Sequence, residues 1–180
     1  METFTEAKDF VDSPDFLKQR QASLVAFRNV TIDAPIVDIV ESINNLPCCF
    51  TLQCCYGHFL QAGQQDPNNF ERLQSADSSA EVTYRLAYIA FCIENSPQGK
   101  RLYKDLSNIP VVDPDFIQFG SGEWFWHRHL NSYALQVEPE RFMDKDQATI
   151  DYQEALRVQD ARDNFYSELR TMLQSKAGNY

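Results

Sequence analysis

The sequence predicts an α+β domain, with helices covering a mixed or largely antiparallel sheet and a long helix near the C-terminal end. Three observations carry this. Apolar residues recur at helical spacing towards both ends of the chain. Short β-branched and aromatic runs, bounded by Gly, Pro and Asn, cluster between them. The 180 residues, 43% of them hydrophobic, suit one domain spanning 1–180 with a substantial core and no dividing linker or repeat.

Taking the elements in order, Phe16 to Leu24 reads as an opening helix. Asp33 then precedes Ala34-Pro35, and Asp is a favoured N-cap while Pro suits a first turn whose N–H is unpaired anyway. Ile36, Ile39, Val40 and Ile43 form one apolar stripe, with Asp38, Glu41 and Ser42 on the wet side, and Asn44-Asn45 with Pro47 stop the helix. Cys48 to Gln53 is an apolar strand, Gly57 permits a tight turn, and Phe59-Leu60 resumes as an adjacent strand. Gly63 to Asp77 is a polar excursion with a turn of helix near Phe70 to Leu73. Val82 to Glu94 ends in a strand buried on both faces, a buried helix being the alternative. Ser96-Pro97 caps a helix through Leu106. Phe116 to Phe119 and Ser132 to Val137 read as strands, with Gly120-Ser121-Gly122 as a turn between them, and from about Thr149 a long helix runs through Ile150, Leu156, Val158, Ala161, Phe165, Leu169 and Met172.

The text Asp33-Ala34-Pro35-Ile36-Val37-Asp38-Ile39-Val40-Glu41-Ser42-Ile43-Asn44, followed by Phe50-Thr51-Leu52-Gln53-Cys54-Cys55-Tyr56-Gly57-His58, resembles a methyltransferase family of tRNA wybutosine synthesis. That family carries a D-x-P-I-x-x-I-x-x-I-N helix and then a Y/F-F-T-T-S-S-C-S-G-R turn. Phe50, Thr51, Cys55 and Gly57 agree with the pattern; Leu52, Gln53, Cys54 and Tyr56 replace small hydroxyl residues, and His58 stands where the family has arginine. The match covers residues 16–59. The resemblance implies the family's fold, S-adenosylmethionine as cofactor, and methyl transfer to an RNA or small heterocyclic substrate. The alternative is a non-enzymatic domain that binds a ligand or a protein partner and keeps the fold alone.

Charge and cysteine usage narrow the partners. The net charge of −10, with a pI near 4.7, opposes a large RNA footprint, because phosphate neutralisation needs a basic face. A small-molecule or nucleotide-like ligand fits better. Five cysteines without a disulfide framework, and no apolar leader, point to a reducing cytoplasm; the longest apolar run, Ile89 to Ile93, is too short for a membrane.

Three groups could carry chemistry. Cys54, Cys55 and His58 sit at a strand end, where an imidazole could activate a thiol; Cys55 and His58 are the catalytic candidates, against the reading that one cysteine of each adjacent pair is core. His127-Arg128-His129, if extended, would put two imidazoles on one face, with Cys55 or His58 as further metal ligands; without a Cys-x-x-Cys pair, surface histidines are the plainer reading, and no metal is assigned. Trp126, Tyr133 and Gln136 could stack on and read a flat cofactor, beside Glu138, although such aromatics more often form core. Glu154, Asp160, Asp163 and Glu168 read as a solvated helix face. A functional site is therefore expected where the Cys54-to-His58 turn meets the Trp124-to-His129 segment.

Overall fold

The computed structural model describes residues 4–61, 66, 70, 72–73, 81–142 and 145–176. Strand β1 (Phe4–Thr5) and helix α1 (Phe16–Phe27) lead into a 3₁₀ turn, Ala34–Ile36, and α2 (Val37–Asn45). β2 (Cys49–Cys55), β3 (His58–Gln61), β4 (Glu81–Arg85), β5 (Ala87–Ile93) and α3 (Pro97–Leu106) follow. The chain continues through β6 (Ile117–Gly122), the short α4 (Glu123–Trp126), β7 (Ser132–Val137), β8 (Gln147–Asp151) and α5 (Tyr152–Lys176). The strands form two antiparallel sheets, ordered β1-β6-β7-β5-β2 and β3-β4-β8. The α+β class and the long closing helix are as the sequence predicts.

β5 explains the architecture. Ile89, Phe91 and Ile93 enter the main core with Ile36, Ile39 and Ile43 from α2, Leu102 and Leu106 from α3, and Val158, Phe165 and Leu169 from α5. Ala90 and Cys92 point the other way, into two smaller clusters roofed by Phe4, Phe16 and Phe125. A strand with two covered faces has no room for polar residues, which is why this run is uninterruptedly apolar. Each fully buried Ile or Phe contributes about 1.5–3 kcal/mol, so this central strand is a principal source of stability. Ser96 caps α3 as expected, accepting a hydrogen bond from the Gly99 N–H at 3.1 Å.

Four expectations are corrected. β2 and β3 are not paired: the Gly57 turn hands the chain from the five-stranded sheet to the three-stranded one, and Leu86 hands it back between β4 and β5. Gly120-Ser121-Gly122 is strand rather than turn; β1 lies so close that a Cβ on Gly120 would meet the Thr5 carbonyl oxygen at 2.2 Å. Thr149 and Ile150 belong to β8, where buried Ala148 and Ile150 alternate with exposed Gln147, Thr149 and Asp151 in the two-residue period of a strand. Trp124-Phe125-Trp126 forms helix α4, and His127 to Leu130 turn back from it, so the two histidines do not share a strand face. The polar excursion from Gly63 to Asp77 lies largely outside the described residues.

Candidate functional site

The site grows from the seam between the sheets. Gly57 has φ +92°, a conformation costly for any residue with a Cβ, and its backbone lies against Ala87, the first residue of β5. The two crossing points therefore touch. From this turn Cys55 and His58 project inward, 6% and 1% exposed. Asp33 arrives from the start of the 3₁₀ turn. It does not cap the helix; its Oδ2 accepts the Tyr56 backbone N–H at 2.7 Å and lies 3.3 Å from His58 Nε2.

One ligand atom each from Asp33, Cys55 and His58 lies within 4.8 Å of the others, the one such grouping among the described residues. Hydrogen bonding to Asp33 and then to Cys55 outweighs burial and pushes the His58 imidazole up to about 9, from its ordinary 6.5. Burial raises the Asp33 carboxyl, but the bonds from His58 and the Tyr56 N–H outweigh it and hold the acid below 3.8. The pair favours a carboxylate beside a positive charge. Among the described residues, His58 Nδ1 is buried with no hydrogen-bond partner, and both Asp33 bonds fall on Oδ2, with none on Oδ1. Burial, reinforced by Asp33 and Cys55, pushes Cys54 up to about 12, so that thiol stays protonated.

A hydrogen-bonded collar holds the turn. Arg162 of α5, 1% exposed, donates to the Gly57 carbonyl at 2.8 Å and lies over the rings of Tyr56 and Phe59 at 4.1 and 5.1 Å. Asp163 binds that guanidinium, accepts the Tyr56 hydroxyl and pairs with Arg72, so it is not part of a solvated face. Glu154 likewise pairs with Arg141. The Tyr166 hydroxyl donates to the Cys55 carbonyl at 2.6 Å, and Phe70 lies 5.3 Å from the His58 ring.

Of the expected residues, Cys55 and His58 thus converge. The histidines at 127 and 129 do not join them. His127 is 78% exposed beside Glu123, and His129 packs on Phe50, near the opposite end of β2 from Cys55, five residues or about 16 Å along the strand. The expected meeting of the two segments is corrected accordingly. Trp126 and Tyr133 meet edge to face at 5.9 Å, but Phe10, Tyr103 and Phe119 also enclose the Tyr133 ring. Gln136 lies on the other face of β7, bonded to Glu138 and Gln118, so these three residues form no single surface. Both Cys48 and Cys49 are buried, whereas only Cys55 of the second pair is.

Sequence reasoning missed Asp33, read as a helix cap, and Arg162. The signal for Arg162 was present: it lies four residues after Val158 and three before Phe165, inside the apolar stripe. No helix among the described residues is long and apolar enough to cross a membrane.

No protein-family model matches the chain, and no curated protein matches it. Solved structures do. The PH1069 protein of Pyrococcus horikoshii is similar at 13% identity and a TM-score of 0.48, over 91% of this chain and 94% of that one. A second structure of PH1069, from strain OT3, gives 12% and 0.47 over the same shares. A hypothetical protein from Aeropyrum pernix gives 7% and 0.43, over 79% of this chain and 98% of that one.

Proposed function

We propose that this chain is an S-adenosylmethionine-dependent methyltransferase of the wybutosine-synthesis type, acting at the Asp33–Cys55–His58 cluster on a small heterocyclic or nucleotide-like substrate. The observation that supports it is convergence: Asp33 opens the helix half of the resembling motif and Cys55 to His58 form its turn half, yet Asp33 Oδ2 binds the turn at 2.7 and 3.3 Å. A carboxylate kept ionised, with no bond to Oδ1 among the described residues, suits a cationic cofactor; S-adenosylmethionine supplies an electrophilic methyl on a sulfonium. Asp33 is the solvent-facing member, its side chain 24% exposed, and in this reading it accepts the proton that an attacking ring nitrogen loses. Tyr56 and Phe70 offer aromatic edges to a flat ring, and the buried His58 fixes the carboxylate.

Calorimetry with S-adenosylmethionine, followed by transfer of labelled methyl to an anticodon-loop fragment bearing a tricyclic guanine derivative, tests this. Saturable binding and transfer are expected, with Asp33→Asn lowering kcat by about 100-fold, in the range of a lost acid–base group. Absence of cofactor binding by the wild-type chain would overturn it. The burial of Cys55 and His58 favours a second reading, a ligand-binding domain without turnover, which predicts binding with no transfer.

A further inference from the structure

We propose that Asp33, Cys55 and His58 form a zinc site, a role for the same cluster that takes the place of the free Asp33 carboxylate in the methyl-transfer reading. The donor set is a thiol, an imidazole and a carboxylate, the three side-chain types zinc takes, at about 2.3, 2.0 and 2.0–2.2 Å. Tetrahedral geometry at those bond lengths separates neighbouring donors by roughly 3.3–3.8 Å. Here Nε2 and Oδ2 are already 3.3 Å apart and all three donors lie within 4.8 Å, so only the remaining separations need contract by up to about an ångström.

The buried imidazole can meet a metal through Nε2, the nitrogen beside Asp33; its Nδ1, on the far side of the ring, has no hydrogen-bond partner among the described residues. The turn that carries the donors is held in place: the Tyr56 N–H orients Asp33, and the Tyr166 hydroxyl and Arg162 bond the backbone carbonyls of Cys55 and Gly57. Three protein donors leave the fourth tetrahedral position for water or a ligand atom, the arrangement of a catalytic rather than a structural zinc. Opening lies on the side of Asp33, the most exposed of the three.

The chemistry balances without a redox partner. Zn²⁺ forms bonds to Cys55 Sγ, a His58 ring nitrogen and an Asp33 oxygen; the thiol proton, and that of the imidazolium where present, pass to solvent. Cys54 serves as the internal control, since it neighbours Cys55 but lies outside the grouping.

The test uses the full untagged chain, stripped with chelator and titrated with Co²⁺ and then Zn²⁺. One equivalent of Co²⁺ should give tetrahedral visible bands and a thiolate-to-cobalt charge-transfer band, which Zn²⁺ displaces. Cys55→Ser should remove the charge-transfer band, Cys54→Ser should retain it, and Asp33→Asn should weaken affinity by at least about 10-fold, the lower figure for even an outer-shell loss. Should the Cys55 or Asp33 variant fail to fold, zinc-edge X-ray absorption of the wild type decides: one sulfur with nitrogen or oxygen neighbours supports the site, and any other sulfur count sinks it. No stoichiometric uptake, or a charge-transfer band surviving in Cys55→Ser, also overturns it. None of these readouts involves S-adenosylmethionine, so a failed metal site and a failed methyltransferase reading are separable.

Discussion

His58 shows how a single residue can carry a pH signature. Its folded value, about 9, stands above the unfolded 6.5, so the proton binds more tightly in the native state. The stabilisation is therefore complete below about pH 6.5 and is lost as pH rises through 9. In chelator-treated protein the denaturant midpoint should fall across that window, and in His58→Gln the fall should be absent. Asp33 has the opposite sign: its contribution is present above 3.8 and disappears as pH falls through its lowered folded value. Arg162 gives a second residue-scale expectation. Arg162→Met would leave the Gly57 carbonyl and Asp163 without their buried donor, costing about 3 kcal/mol. Arg162→Lys should recover little in urea unfolding, because an ammonium cannot reproduce the flat guanidinium lying over Tyr56. The turn's thiol and imidazole were legible because their neighbours in sequence are their neighbours in space. Asp33 was not, because an Asp before Ala-Pro satisfies the local capping rule so well that nothing local announces a partner more than twenty residues away.

At the scale of elements, the Gly57 turn does what neither β2 nor β3 could do as a hairpin: it changes sheets. Gly57→Ala would place a methyl 2.6 Å from the Ala87 methyl at φ +92°. Strain and overlap together should destabilise by roughly 2–4 kcal/mol. Adding Ala87→Gly should relieve the overlap but not the strain, so the double variant should regain part of the loss in thermal melts; strictly additive losses would show that the two crossings do not touch. The helices were readable from periodicity and the Ser96 cap. Strand partners were not: Cys48 to Gln53 and Phe59-Leu60 carry correct strand composition, but pairing depends on which sheet each joins, and that is decided by contacts with β4 and β5. β8 was missed for a related reason, since Ile150 fits the stripe of the following helix as well as the alternation of its own strand.

For the whole molecule, the two sheets share one continuous core, with Val82 and Ile150 of one and Ile89 and Leu135 of the other in the same cluster. The net charge of −10 surrounds that core. Tight binding of unmodified bulk tRNA at physiological salt is therefore not expected, and fluorescence anisotropy should give dissociation constants weaker than about micromolar, the strong end of non-specific affinity. A tighter complex with a steep salt dependence would show that a local basic surface outweighs the total charge. The α+β class was accessible from composition and patterning because it depends on sums over many residues. The segregation of the eight strands among the described residues into two sheets depends on a few junction residues, Gly57 and Leu86 among them, whose effect no window average contains.

The Tyr56 backbone amide lies between β2 and β3, and its hydrogen goes to a side chain, the Asp33 carboxylate. Its exchange with deuterium is consequently a clock for one event, release of Asp33 from the turn, and is separate from the breathing of either sheet. In Asp33→Ala that amide should exchange at least about tenfold faster while Ile89, deep in β5, keeps its protection, a local opening seen against an intact frame. Any compound or ion that engages Asp33 should change the rate at this one position, so a single amide resonance offers a screen for ligands that needs no knowledge of the reaction.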